Sequence, residues 1–113
     1  MGLRAGYAMR MQQLIPLTEV HEGELTHCEL NGERVLIGIA REKPFAIKDV
    51  CPHAYVSFGH GMLSDCTITC PWHGLSFDVH TGECDYWPDL ERLTRFEVAV
   101  RDGNVWVGDP IED

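Results

Sequence analysis

Basic residues are scarce in this sequence. Nine lysines and arginines stand against eighteen aspartates and glutamates, a formal net charge of −9. Nucleic acid and anionic membrane surfaces both call for a basic face, so the balance argues against either as a partner. Long apolar runs are missing too. Nothing approaches the ~18 consecutive apolar residues of a membrane-spanning helix. No window sustains a helical period, which leaves no place for a long amphipathic helix. The apolar content itself is ordinary, at 44% against 24% charged, as in a globular domain. A chain of 113 residues has the size of one domain and buries roughly two-thirds of its unfolded surface.

Five cysteines are present: Cys28, Cys51, Cys66, Cys70 and Cys84. The stretch from Met1 to Met11 carries Arg4 and Arg10 and no apolar core, unlike an export signal. Position 6 is Gly, where N-myristoylation after Gly2 requires Ser or Thr. The expected location is therefore the cytoplasm, where cysteines serve as metal ligands or buried thiols before they form disulfides. Met9 and Met11 are alternative starts, and residues 1–10 are expected to be a poorly ordered extension.

The pattern along the chain is that of strands. Gln12 to Leu17 is short, apolar and broken by Pro16, and Thr18 to Gly23 is turn-like. Leu25 to Leu30 and Arg34 to Ile39 flank Asn31-Gly32, a pair suited to the positive φ angles of a two-residue hairpin. Val35, Ile37 and Ile39 alternate with period two, which predicts a half-buried strand. Arg41-Glu42-Lys43 reads as a second turn and Phe45 to Val50 as a further strand. Residues ~50–90 are rich in Gly, His, Cys, Pro and Trp, with short strand-like pieces at Thr67 to Thr69 and Ser76 to Val79. Clean alternation returns at Thr94 to Val100 and Asn104 to Val107, joined by Asp102-Gly103. The prediction is an all-β domain over 1–113. A base is built from ~11–49 and ~91–110, and the insert between them carries the chemistry.

That chemistry lies in Cys51-Pro52-His53 and Cys70-Pro71-Trp72-His73-Gly74. Each loop offers one thiolate and one imidazole, so together they supply two sulfur and two nitrogen ligands. A single tetrahedral zinc suits such a set, but its usual sites pair like with like on one element. Loops that mix the two types suit a two-iron cluster, with cysteines on one iron and histidines on the other. Both readings remain open on spacing alone.

The two loops and the tail Phe77-Asp78-Val79-His80-Thr81-Gly82 together resemble the signature of the Rieske [2Fe-2S] family, and the resemblance extends over nearly the whole chain. It implies an antiparallel β-sandwich base with an inserted cluster-binding subdomain. It also implies that Cys51 and Cys70 bind one iron while His53 and His73 bind the other, their far ring nitrogens near solvent. Gly74 would let the backbone approach the cluster, and Trp87-Pro88 falls in the family's covering loop.

Departures from the family pattern narrow the expectation. The cytochrome bc-type proteins carry an extra, disulfide-forming cysteine in each loop. Here those regions hold Trp72 and Ala54-Tyr55-Val56, and Cys66 and Cys84 lie elsewhere. High-potential members place Ser and Tyr hydroxyls where this chain has Leu75 and Phe77. Losing donors to sulfur lowers the potential, toward about −150 mV, the bottom of the Rieske range. The oxygenases that begin with a similar domain also need a mononuclear iron site of two His and a carboxylate. His21, His27, His60 and His80 form no convincing one.

The resemblance thus implies a low-potential ferredoxin and not an enzyme in itself. Its expected partners are an NAD(P)H-dependent flavoprotein reductase and a terminal oxygenase, an aromatic-ring dioxygenase. A monomer is expected. The alternatives are the small Rieske subunit of an assimilatory nitrite reductase and a structural zinc module. Cys28, Cys66 and Cys84 are expected to be buried or partly buried thiols, His60 and His80 to have turn or surface roles, and Trp72 and Phe77 to shield the cluster. Tyr55 is a candidate donor toward sulfur. Asp85, Asp89 and Glu91 form a solvated acidic face or a docking patch.

Overall fold

The computed structural model describes residues 11–52, 55–58, 62–71, 74–87 and 89–111. The expected extension at 1–10, and His53, His60, Trp72, His73 and Pro88, lie outside the described residues.

Asn31-Gly32 forms the hairpin its sequence predicts, with φ of 52° and 84°. It joins β2 (Leu25–Leu30) to β3 (Glu33–Ala40), which pair antiparallel from Leu25↔Gly38 to Leu30↔Glu33. A second tight turn at Arg41-Glu42 leads from β3 into β4 (Lys43–Lys48). Both turn residues take positive φ, 53° and 63°, without being glycine. The Glu22 carboxylate offsets this strain by accepting both their amides, at 2.9 and 3.0 Å.

β1 (Gln12–Pro16) pairs with β9 (Asn104–Pro110), and β9 with β8 (Phe96–Arg101), giving a sheet of order β1-β9-β8. A 3-10 turn at Leu17–Glu19 follows β1. Between β4 and β8 the chain builds a third antiparallel sheet from three short strands: β5 (Met62–Ser64), β6 (Thr67–Thr69) and β7 (Ser76–Asp78).

The β2-β3-β4 sheet is shared by two cores. Val35, Ile37 and Ala46 face β1, β8 and β9, packing with Ile15, Phe96, Val105 and Val107. Leu36, Ala40, Phe45 and Ile47 face the inserted sheet, packing with Cys51, Cys70, Ile68 and Phe77. β3 is therefore buried on both faces. The period-two reading of a half-buried β3 is corrected by this arrangement, since the intervening Leu36, Gly38 and Ala40 are buried as well.

Three polar ties fasten the inserted sheet to the base. The Arg41 guanidinium donates to both Asp65 oxygens, at 3.0 and 2.6 Å. His80 Nε2 lies 3.0 Å from the Ala40 carbonyl, with its ring edge-on to Phe45. Arg95 donates to the His80 carbonyl at 2.7 Å.

Candidate metal centre

Cys51 and Cys70 head two loops with the same backbone pattern. The Cys51 amide donates to the Val56 carbonyl at 2.7 Å, and the Tyr55 amide returns to the Cys51 carbonyl at 2.7 Å. The Cys70 amide donates to the Leu75 carbonyl at 2.8 Å, and the Gly74 amide returns to the Cys70 carbonyl at 3.0 Å. Each loop is thus closed by a bond from cysteine to the fifth residue on, and a bond back from the fourth. The fourth residue has positive φ in both, 56° at Tyr55 and 69° at Gly74. Glycine meets that need without a Cβ penalty, and Tyr55 meets it under strain.

Both cysteine residues are fully buried. Two thiols at the necks of matched loops, shut off from water, suit the sulfur half of the donor set expected from the sequence. A cluster held there fits the residues described. The expected imidazole ligands, His53 and His73, lie outside them.

Asp49 fixes the first loop. It is a buried acid, 2% exposed, two residues before Cys51. Its carboxylate accepts the Ser57 hydroxyl at 2.7 Å and the Phe58 amide at 2.8 Å, which draws the far end of the loop back onto β4. His27 Nδ1 stands 3.9 Å from the same carboxylate. Periodicity and spacing in the sequence do not single out Asp49. Its only signal was an acid at the end of an apolar strand, just before Cys51.

The Asp78-to-Gly82 tail is a turn that shapes the other side. Asp78 accepts the His80 and Thr81 amides at 2.7 and 2.9 Å, and Gly82 donates back to the Asp78 carbonyl at 2.7 Å. Gly82 has φ +83°, and a Cβ there would meet the Leu93 carbonyl at 3.1 Å. The turn brings Cys84 back beside Phe77 in an antiparallel bridge.

Phe77 is fully buried, edge-on to Phe58 across 6.2 Å. The Ser76 hydroxyl between Leu75 and Phe77 is paired with that of Thr69, 3.1 Å away. The side chain of Tyr55 is 76% exposed. It stands in solvent, which corrects the reading of Tyr55 as a donor toward sulfur. None of the five cysteines forms a disulfide. Burial first, then the Asp65 charge, pushes the Cys66 thiol above its ordinary pKa, while burial and then Glu19 do the same for Cys28. Both are therefore held as neutral thiols.

The sequence profile of the Rieske [2Fe-2S] domain matches residues 10–97. The chain belongs to the Rieske [2Fe-2S] family. Family membership carries one [2Fe-2S] cluster, which sets the zinc module aside.

Among relatives, the Escherichia coli K12 3-phenylpropionate/cinnamic acid dioxygenase ferredoxin subunit is 32% identical over 96 residues, covering 84% of this Rieske chain and 90% of its own length. Human apoptosis-inducing factor 3 is 30% identical over 89 residues, 79% of this chain. The chain spans only 15% of that protein's length. Among solved structures, a chain in the complex of reduced oxygenase and oxidized ferredoxin of carbazole 1,9a-dioxygenase superposes with a TM-score of 0.83 and 25% identity. That match covers 92% of this chain and 98% of the other. The all-β architecture is that of the Rieske ferredoxins.

Proposed function

We propose that this Rieske protein is a single-electron carrier. It takes electrons from an NAD(P)H-dependent flavoprotein reductase and hands them to a terminal oxygenase acting on an aromatic ring. The observation that carries the reading is the near-complete match, 90% of its length, to a dioxygenase ferredoxin subunit.

Cys51 and Cys70 would hold one iron through sulfur, and His53 and His73 the other through nitrogen. When bound, the cluster supplies one-electron redox chemistry. The chain's own work is to hold, shield and present it. The closed loop necks fix the two cysteines, and Phe77, Phe58 and Leu75 exclude water from the sulfur side. Leu75 and Phe77 bring no hydroxyl to that side, and the Ser76 hydroxyl is occupied by Thr69. Scarce donors favour the oxidised state and so a low potential.

An EPR-monitored redox titration tests the reading. The expected result is a Rieske-type signal in the reduced protein with a midpoint near about −150 mV. A midpoint above about +100 mV, mid-range for Rieske centres, overturns the donor argument. Stable co-purification with a large sirohaem enzyme would move the protein to the nitrite reductase reading.

A further inference from the structure

Charge is distributed unevenly along this chain. From Asp49 to Glu91 there are seven acidic residues and no lysine or arginine, so every basic residue lies outside that span. Four of the seven acids are already engaged. Asp49 is buried on Ser57 and Phe58, Asp65 is paired with Arg41, Asp78 accepts turn amides, and Glu83 is paired with Arg92. The other three, Asp85, Asp89 and Glu91, are exposed and have no ion pair among the described residues.

Exposed aromatics collect at the same place. Tyr86 and Trp87 are 74% and 56% exposed, with ring centroids 6.4 Å apart. A cleft of about 250 Å³ lined by Pro52, Tyr55, Leu90 and Glu91 joins this segment to the first cysteine loop. The Asp85 amide donates to the Ser76 carbonyl at 2.8 Å, which joins it to the strand after the second loop. Large aromatic side chains held in water on this segment are costly unless something covers them.

We propose that Tyr86, Trp87 and Tyr55, with Asp85, Asp89 and Glu91 around them, form the docking surface for a protein partner that presents lysine or arginine around a flat apolar patch. The inference rests on the electron-carrier reading and adds the chemistry of the partner. The aromatics supply desolvated contact area, and the acids steer the encounter and set its orientation. A like-charged partner is repelled, which confers selectivity.

Cytochrome c, a basic haem protein with lysines around its exposed haem edge, serves as the probe. The holoprotein is reduced beforehand and mixed with ferric cytochrome c in a stopped-flow instrument. One electron leaves the reduced carrier and one ferric haem becomes ferrous. The bimolecular rate is expected to fall as salt rises. Asp85→Asn/Asp89→Asn/Glu91→Gln should lower it about tenfold at low salt and flatten the salt dependence. Trp87→Ala should lower the rate and leave the salt dependence intact. Glu19→Gln/Glu24→Gln/Asp102→Asn makes the same charge change on the base and should leave the rate within about twofold. Iron content and midpoint should match the parent in every variant. Equal losses from the two triple variants, or a Trp87→Ala rate equal to the parent's, overturn the docking surface. A parent with no redox signal overturns the electron-carrier reading instead.

Discussion

Replacing Asp49 with alanine removes the clamp on the first cysteine loop. The carboxylate accepts two hydrogen bonds, from the Ser57 hydroxyl and the Phe58 amide, in a site from which water is excluded. Hydrogen bonds to a charged group contribute ~1.5–3 kcal/mol each, and the buried Phe58 amide would be left unsatisfied. The expected loss is about 3–5 kcal/mol, a large part of a small domain's total stability. That corresponds to a fall in Tm of roughly 15 °C. Asp49→Asn keeps the shape. Its amide oxygen can still accept from Phe58 and its NH2 can donate to Ser57, so the expected loss is only about 1 kcal/mol. The assay is thermal unfolding of the holoprotein by circular dichroism, with iron and sulfide counted per chain. The alanine variant should lose cluster as well as stability, because Cys51 sits two residues beyond the clamp. An alanine variant within about 0.5 kcal/mol of the parent and with full iron would refute the argument.

Phe77→Tyr returns a hydroxyl to the sulfur side and should raise the midpoint by about 60 mV, the one-electron equivalent of about 1.4 kcal/mol; an unchanged midpoint in a redox titration would sink the donor argument. Arg41 holds the Asp65 carboxyl below the usual carboxylate range, chiefly through their side-chain hydrogen bonds. A depressed carboxyl contributes stability above its unfolded pKa and loses it as pH falls through the folded value. Arg41→Gln should therefore flatten the decline of stability below about pH 4 in urea titrations, and a decline as steep as the parent's would count against the pair. Gly82→Ala should cost ~1–2 kcal/mol, from positive φ and contact with the Leu93 carbonyl, measured by the urea midpoint.

Local signals were legible in the sequence, and long-range ones were not. Asn31-Gly32 announced its hairpin because two positive φ angles leave few residues to choose from. Cys51 and Cys70 stood out because a thiol and an imidazole on one short loop have few bland uses, and both prove to be buried at the necks of matched loops. Met62–Ser64 was not read as a strand, since it lacks the β-branched residues that mark Thr67–Thr69 and its two end residues are exposed. β3 was read as one-sided because Gly38 and Ala40 look neutral in a period count, although Phe45 covers Gly38 and Ala40 packs into the core shared with the inserted sheet. Asp49 looked like any surface acid. Its burial depends on residues 57 and 58 folding back, which no local pattern encodes.

The placement of β1 against β9 has a consequence for how the molecule assembles. Gln12 pairs with Val107, about ninety-five residues away. β2, β3 and β4 are joined by tight turns and can zip locally, but β1 gains its partner only once the last strand is in place. Contacts of such separation carry a large loop-closure cost and slow the search. Docking of β1 onto the β8-β9 hairpin is therefore expected to be a late event in folding.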